Sequence, residues 1–432
     1  MLTRNWLIAA GMSLALLPAG IAHGEGLAPA TIELWATNAG DIHSKAIEES
    51  ADRFEAANPG VTINVTIVPA PYPDKVAVAM SGGQPPQIYA GFGGGTLRAQ
   101  VEAGKVYPLD DALGQYPGWF DRFLPGVLGN GVVDGKTYAI PMNGIQPVIL
   151  YYNKPLFEQF NVQPPKTFAD LMNLVEVFKA GGIIPIAIAG TRSDAWTELM
   201  WLEYLVDRVG GPEPFNNVLA GKENAWSDPA FLKAGELIRQ LVDAGAFGST
   251  FSSTSYANGQ TDALIYSGKA AMQLQGTWDY AIMKGAAPDF IAAGNYGFTA
   301  FPTVEGGTGD PGNLQGNPAN FFSISTNTTP EQLAAALAYL HDEVSSDAYA
   351  EAFINIGYVP AVEGIGDKLG GSSDPELANY TYELAAAAPS FQLSWDQALS
   401  PSVATAMVDN LNELFNGTIT PQQFVDAMNQ AK

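Results

Sequence analysis

Between residues 61 and 67 apolar and polar positions alternate strictly, Val61, Ile63, Val65 and Ile67 with Thr62, Asn64 and Thr66 between them. A period of two sends successive side chains to opposite faces, so this stretch predicts a strand with one buried face. Upstream, Ile42, Ala46, Ile47, Ala51 and Phe54 recur at the spacing of one helical face, and Asn58-Pro59-Gly60 stops that helix. Residues 31–35 read as a short buried strand and 74–80 as a second helix ended by Ser81-Gly82-Gly83. A third strand over 87–90 runs into Gly91-Phe92-Gly93-Gly94-Gly95. This β-α-β-α-β order predicts a parallel sheet covered by helices. Ligands of such sheets sit at the carboxyl ends of strands, and Trp35 and Phe92 fall just past two of those ends.

Further along, 132–138 reads as a hairpin around Asp134-Gly135, the favoured turn pair, and 148–152 as a strand. A second helix-and-strand series follows. Thr167 caps a helix to about residue 180, 183–188 is a strand, and helices cover 196–209 and 229–244. A strand over 271–275 leads into Gly276-Thr277-Trp278. Strands at 296–301 and 321–325 flank a Gly-rich loop, 306–316. From Pro330 the pattern is mostly helical, with the last helix starting at Thr420-Pro421. No internal repeat or low-complexity tract interrupts the chain. Two α/β lobes with a helical C-terminal region fit 432 residues.

The amino terminus is different. Arg4 precedes the apolar run 6–17, the length of a signal segment and too short to span a bilayer. Pro18 breaks the run, and small residues offer cleavage after Ala22 or Gly24, so residues 1–24 are expected to be an export signal. The remaining chain carries 19 basic and 44 acidic residues, a net charge of −25. That acidity disfavours nucleic acid and anionic membrane surfaces as partners. No other apolar run is of membrane-spanning length. There is no cysteine, which removes disulfides, thiolate metal sites, Cys nucleophiles and a lipid anchor through Cys. The expected location is therefore a bacterial periplasm, in soluble form.

The search for catalytic motifs returns little. Only three residues separate Gly131 from Gly135 ahead of Lys136-Thr137, where a phosphate loop needs four, and strands flank it, so the hairpin reading stands. In the run from Gly91 to Thr96, Thr96 takes the last glycine position of a dinucleotide fingerprint, and the run reads as a flexible ligand loop. Three histidines are present, and His23 would leave with the signal. His43 and His341 lie in helical surface patterns and read as structural or solvated. Asp110-Asp111 reads as loop solvation. No metal site, cofactor or catalytic residue is expected.

Aromatic residues beside polar ones carry the functional signal. A sugar ring has apolar C–H faces and an equatorial belt of hydroxyls, so binding it calls for aromatic platforms with Asp, Asn, Gln or Arg around them. Trp35 precedes Asn38 and Asp41, Trp196 follows Asp194, Trp278 precedes Asp279, and Trp395 precedes Asp396 and Gln397. Trp119, Trp201 and Trp226 lack such neighbours and read as packing.

Several short pieces, in order, resemble one family. They are residues 32–35 with 54–61, Pro86-Gln87-Ile88, residues 135–141, residues 151–157, Pro165-Lys166-Thr167-Phe168, Gly276-Thr277-Trp278, Gly357-Tyr358-Val359-Pro360 and Ser394-Trp395-Asp396-Gln397. Together they resemble the carbohydrate-binding solute-binding proteins of bacterial ABC importers, the family that includes maltose-binding protein, with the last piece closest to binders of xylo-oligosaccharides or raffinose-type sugars. The resemblance implies the type II two-lobed periplasmic binding protein fold, each lobe a helix-covered, mainly parallel sheet. It places the first lobe at 25–141 plus 298–343 and the second at 142–297 plus 344–432. Carried over position by position, it implies ligand contacts from Trp35, Asn38 and Asp41, from Phe92, from Asn143 and Gln146, from Trp278 and Asp279, and from Trp395 and Asp396. Trp196 with Asp194, Asn317 or Asn320, and Tyr358 complete the set.

The function implied is capture without chemistry. A neutral oligosaccharide would close the lobes around itself, and the closed monomer would deliver it to permease subunits in the inner membrane. Two other classes remain open at this point. A polyamine binder would gather carboxylates and aromatics around an ammonium, and a secreted glycosidase would need two carboxyls about 5–10 Å apart.

Overall fold

The computed structural model of the chain describes residues 26–69 and 71–431; the expected signal segment, 1–24, lies outside them. The first sheet is built from β1 (Ala30–Thr37), β2 (Val61–Val68), β3 (Ile88–Gly91), β6 (Ile140–Pro141) and β12 (Phe321–Ile324), in the order β2-β1-β3-β12-β6. β1 pairs in parallel with β2 and β3, connected by helices α1 (Asp41–Ala57) and α2 (Tyr72–Ser81), as the sequence pattern predicts. β12 returns antiparallel between β3 and β6. The hairpin is β4 (Val132–Val133) with β5 (Lys136–Thr137), turned by Asp134 at φ 49° and Gly135 at φ 79°. Both torsions are left-handed, which is what an Asp-Gly pair tolerates.

The second sheet has the order β13-β11-β7-β9-β8, with β10 also on β7. Its strands are β7 (Gln146–Asn153), β8 (Ile184–Ala187), β9 (Ala270–Gly276), β10 (Tyr296–Thr299), β11 (Leu314–Asn317) and β13 (Phe391–Leu393). β8 runs parallel to β9 and β13 parallel to β11, while β7 runs antiparallel to β9, β10 and β11. The helix Phe168–Ala180 begins with a reciprocal capping box between Thr167 and Asp170, and Pro421–Gln430 does the same through Thr420 and Gln423.

Each sheet has its own core. Ile32, Leu34, Ala36, Ile88, Phe321 and Phe322 fill the first. Trp201, Phe231, Trp395, Met407, Phe415 and Phe424 belong to the second. Two expected lobe boundaries move. β10 and β11 lie in the second sheet, so residues 298–317 belong to the second lobe. Tyr349, Phe353 and Ile354 of the helix Asp347–Asn355, with Val359 and Leu369 after it, lie in the first core. The return to the second lobe therefore comes after Leu369 and not at 343. The cause is that this helix lays its apolar face on α1, where Phe353 meets the His43 ring edge to face at 5.5 Å. His43 is fully buried there, and burial pushes its imidazole down to about 4, so it is neutral and structural. His341 is a third exposed, stacks on Tyr116 at 4.3 Å and reaches Asp342 at 2.6 Å.

The two lobes touch. The helix α3 (Gly94–Glu102) starts against the turn after β13: a Cβ on Gly94 would stand 2.6 Å from the Gln397 carbonyl oxygen, and one on Gly95 2.2 Å from that of Leu399. In the Gly91–Gly95 run, expected to be a ligand loop, Gly94 and Gly95 are therefore where backbone meets backbone across the lobes, while Gly93 approaches the Asn130 backbone of its own lobe. On the other side, Gly40 at the head of α1 contacts Ile282.

Candidate ligand-binding site

The register of the second sheet converges the candidate residues. Gln146, at the start of β7, pairs with Asn317 of β11, and Val148 pairs with Gly276 of β9. The parallel strands β8, β9, β11 and β13 all end toward this edge, and their continuations carry Trp196, Trp278, Asn317 and Asp396. Carboxyl ends of parallel strands gather loops in this way.

One wall is aromatic. Trp278 is half-buried at the start of the helix Trp278–Ala286 and packs against the cores of both lobes. Its six-membered ring folds back over Gly276: a Cβ there would lie 1.9 Å from Cζ3, so only glycine admits this pose. Trp196 stands 6.2 Å from Trp278, centroid to centroid, and Tyr256 meets Trp196 at 5.1 Å, edge to face. The Tyr256 hydroxyl accepts a hydrogen bond from Trp278 Nε1 at 3.2 Å. Asp194 lies behind the wall, accepting from Thr191 Oγ1, Ser255 Oγ and the backbone N–H of Tyr256.

The floor is a set of amides on the segments that cross between lobes. Asn143 Oδ1 accepts from the backbone N–H of Asn320 at 2.9 Å. Asn143 Nδ2, Gln146 Oε1, Asn317 Oδ1, Asn320 Oδ1 and both polar atoms of Gln315 are buried without a protein partner. Gly357–Pro360 closes the same region, through the hydrogen bond from Ile145 N–H to the Val359 carbonyl, and leaves the buried Tyr358 hydroxyl unpartnered. Asp396 Oδ1 and Gln397 Oε1 are likewise buried and unpartnered in the turn that meets Gly94 and Gly95, and burial pushes the Asp396 carboxyl up. Buried polar atoms ordinarily have partners, so such a concentration marks places made for a ligand or water to fill.

Six expected contacts lie elsewhere. Trp395 is fully buried, stacked on Phe215 at 4.1 Å and 9° within the second core, and is no platform. Glu203 fixes it there by accepting from its backbone N–H at 2.7 Å. Asp279 is fully buried, its oxygens taken by Tyr256, Tyr296 and Gln273, so it supports the wall and offers nothing to a ligand. Trp35 shares a strand face with Glu33 and Thr37, opposite the buried Ile32 and Leu34, and lines an open hollow beside Asp74, Lys75 and Val78 of α2. Phe92 lines a hollow of about 30 Å³ between β3, α2 and α3, room for a water and not for a sugar. Asn38 is exposed, and its Oδ1 accepts from Gly40 N–H, shaping the turn into α1; Asp41 is exposed in the first turn of that helix. The two stand near the Gly40–Ile282 contact at the rim.

Tyr256 and Gln315 were not legible as site residues. Tyr256 sits in an aperiodic polar stretch, and Gln315 reaches the floor only through the pairing of β11 with β7.

Where the two lobes meet, an aromatic wall stands beside a floor of crossing segments whose amide atoms lack partners. The chain belongs to the bacterial extracellular solute-binding protein family, which matches residues 40–388. Among its relatives, a probable sugar-binding periplasmic protein of Mesorhizobium japonicum is 26% identical over 336 residues, 73% of each chain. An uncharacterized ABC transporter extracellular-binding protein of Pyrococcus horikoshii is 27% identical over 270 residues, 59% of this chain and 57% of that one. The sn-glycerol-3-phosphate-binding periplasmic protein of Brucella abortus is 25% identical over 281 residues, 61% and 60% of the two chains. A solved structure from work on xylan utilisation by Caldanaerobius polysaccharolyticus superposes with a TM-score of 0.83 at 28% identity, over 93% of this chain and 99% of that one. A chitin oligosaccharide binding protein gives 0.83 at 26%, over 93% and 98%. Among the described residues no helix is long and apolar enough to cross a membrane, and no group of side chains could hold a metal ion.

Proposed function

We propose that this chain is the periplasmic capture subunit of an ABC importer and that its solute is a neutral oligosaccharide, delivered to membrane permease subunits from the closed state. The observation that carries the reading is the floor: five neutral amides with buried, unpartnered polar atoms beside a Trp–Tyr–Trp wall. Amides both donate and accept, which suits hydroxyls, while indole faces suit C–H faces. No lysine or arginine is among the residues assembled there, and a phosphate would leave its charge without a partner. The sugar-binding and chitin-oligosaccharide-binding relatives support the same class.

Ligand and closure are linked thermodynamically. A sugar that touches both lobes only when they meet favours the closed form by its differential affinity. A thermal-shift screen tests the assignment. Xylotriose, chitotriose, raffinose and maltose are the neutral arms, with sn-glycerol 3-phosphate and spermidine beside them. A rise in melting temperature with one or more of the neutral sugars, with no release of reducing ends on long incubation, is the expected result. A response confined to the phosphate ester or the polyamine overturns the reading.

A further inference from the structure

Behind the aromatic wall two carboxyl groups meet in a dry place. Asp262, on the helix Gln260–Tyr266, and Asp279, at the head of the next helix, accept from the same Gln273 Nε2, and both are at most 1% exposed. Asp279 Oδ2 accepts from Tyr296 Oη at 2.6 Å and from Gln273 Nε2 at 2.7 Å; Asp279 Oδ1 accepts from Tyr256 Oη at 3.0 Å. Gln273 Nε2 also lies 3.3 Å from Asp262 Oδ1, and Thr261 Oγ1 3.4 Å from that same atom. The titratable groups facing the pair are Tyr256 from the preceding loop, Tyr296 of β10, Tyr151 of β7 and, beyond Tyr151, Tyr280. No lysine, arginine or histidine is among them. A buried carboxylate with no cation nearby is tolerable once, because tyrosine and amide donors surround it; twice, side by side, it is not. The pair must therefore hold a proton between its members.

The proton matters to the wall because Tyr256 links the two. Its single hydroxyl donates to Asp279 and accepts from the Trp278 indole. We propose that Asp262 and Asp279 are positioning residues of the ligand wall: one proton shared between them fixes the Tyr256 hydroxyl, and that hydroxyl fixes the Trp278 indole, so the wall is correctly set only while the pair holds one proton. This rests on the reading that the Trp278 wall receives the sugar.

Burial pushes Asp279 up to about 6 and Asp262 well above the carboxylate range, the latter further raised by the charge of Asp279. Below about pH 6 a second proton enters. It must go onto an oxygen already facing donors, so at least one of the bonds from Tyr256, Tyr296 or Gln273 is lost. At alkaline pH Asp262 ionises against Asp279, and repulsion parts them. Affinity should therefore be bell-shaped in pH.

The test is the dissociation constant of the full chain from pH 4.5 to 10, for whichever of xylotriose, chitotriose, raffinose or maltose binds. Near-ultraviolet circular dichroism of the sugar-free protein is recorded over the same range, with far-ultraviolet spectra confirming the fold. Wild type should show an acid limb with midpoint near pH 6, about tenfold weaker one unit below it, and a separate alkaline limb. Asp262→Asn can still donate to Asp279, so it should keep the acid limb and lose the alkaline one. Asp279→Asn should lose the acid limb. Tyr256→Phe, which cuts the link, should flatten the Trp278 signal. A flat wild-type profile between pH 5 and 9, or an alkaline limb that survives in Asp262→Asn, overturns the proposal. If none of the four sugars binds, the oligosaccharide reading fails, and the sugar-free spectra alone then decide the carboxyl pair by the same criteria.

Discussion

At the residue scale, glycine and tryptophan act as one unit. The indole of Trp278 occupies the space that any side chain at position 276 would need. Gly276→Ala is expected to swing the ring out and weaken sugar binding by about tenfold or more, about 1.4 kcal/mol, with the fold retained, as read by isothermal calorimetry beside circular dichroism. Unchanged affinity would mean that the ring pose is immaterial. Glu203 gives a second test. Burial pushes it up to about 8 while it anchors Trp395 and Ser394, and its Oε2 has no partner. Because the folded carboxyl holds its proton more tightly than the unfolded one, its stabilising contribution is complete below about pH 4.5 and is lost as pH rises through about 8. Glu198, also pushed up to about 8 by burial, adds to the trend. The melting temperature should fall between pH 5 and 8.5, and Glu203→Gln should make that fall shallower. An identical slope in the variant would contradict the assignment. Aromatic-plus-acid adjacency in the sequence found Trp278 and Trp196 but could not separate them from Trp395. All three precede or follow an acid, and only the packing of Phe215, Trp226 and Phe231 around Trp395 shows it to be core.

At the element scale, the start of α3 decides how near the lobes come. Gly94 has φ +58° and Gly95 lies closest of all to the opposing backbone. Gly95→Ala inserts a methyl group where a carbonyl oxygen stands, without approaching the floor amides or the indoles. It should hold the lobes apart, lowering sugar affinity and leaving thermal stability of the sugar-free protein within a few degrees. Small-angle scattering with saturating sugar should show a larger radius of gyration than wild type, and equal radii would refute the role. Elements themselves were largely legible. The alternation in 61–67, the helical spacing in 42–57 and the Thr167 cap each report local physics, and β2, α1 and the helix Phe168–Ala180 stand where those patterns place them. What stayed hidden was which lobe an element joins. The helix Asp347–Asn355 has an apolar face that could cover either sheet, and its burial against His43 is a tertiary choice with no period in the sequence. The run Gly91–Gly95 likewise signalled close approach without saying whether ligand or protein approaches.

At the scale of the whole molecule, two bodies, each with its own core, meet at the crossing segments. Trp278 packs against both cores, and the crossing segments carry Asn143, Gln146, Asn317 and Asn320, so the place where the lobes join is also where polar atoms lack partners. The formal net charge of −24 favours solubility, and the floor itself is built from neutral amides. The most direct measurement is a calorimetric titration of wild type and Trp278→Ala with the oligosaccharide that gives the largest thermal shift. Saturable binding at one site per chain, weakened about tenfold or more by the substitution, is what an interlobe wall requires. Equal affinity in the two proteins would place the solute somewhere other than this cleft.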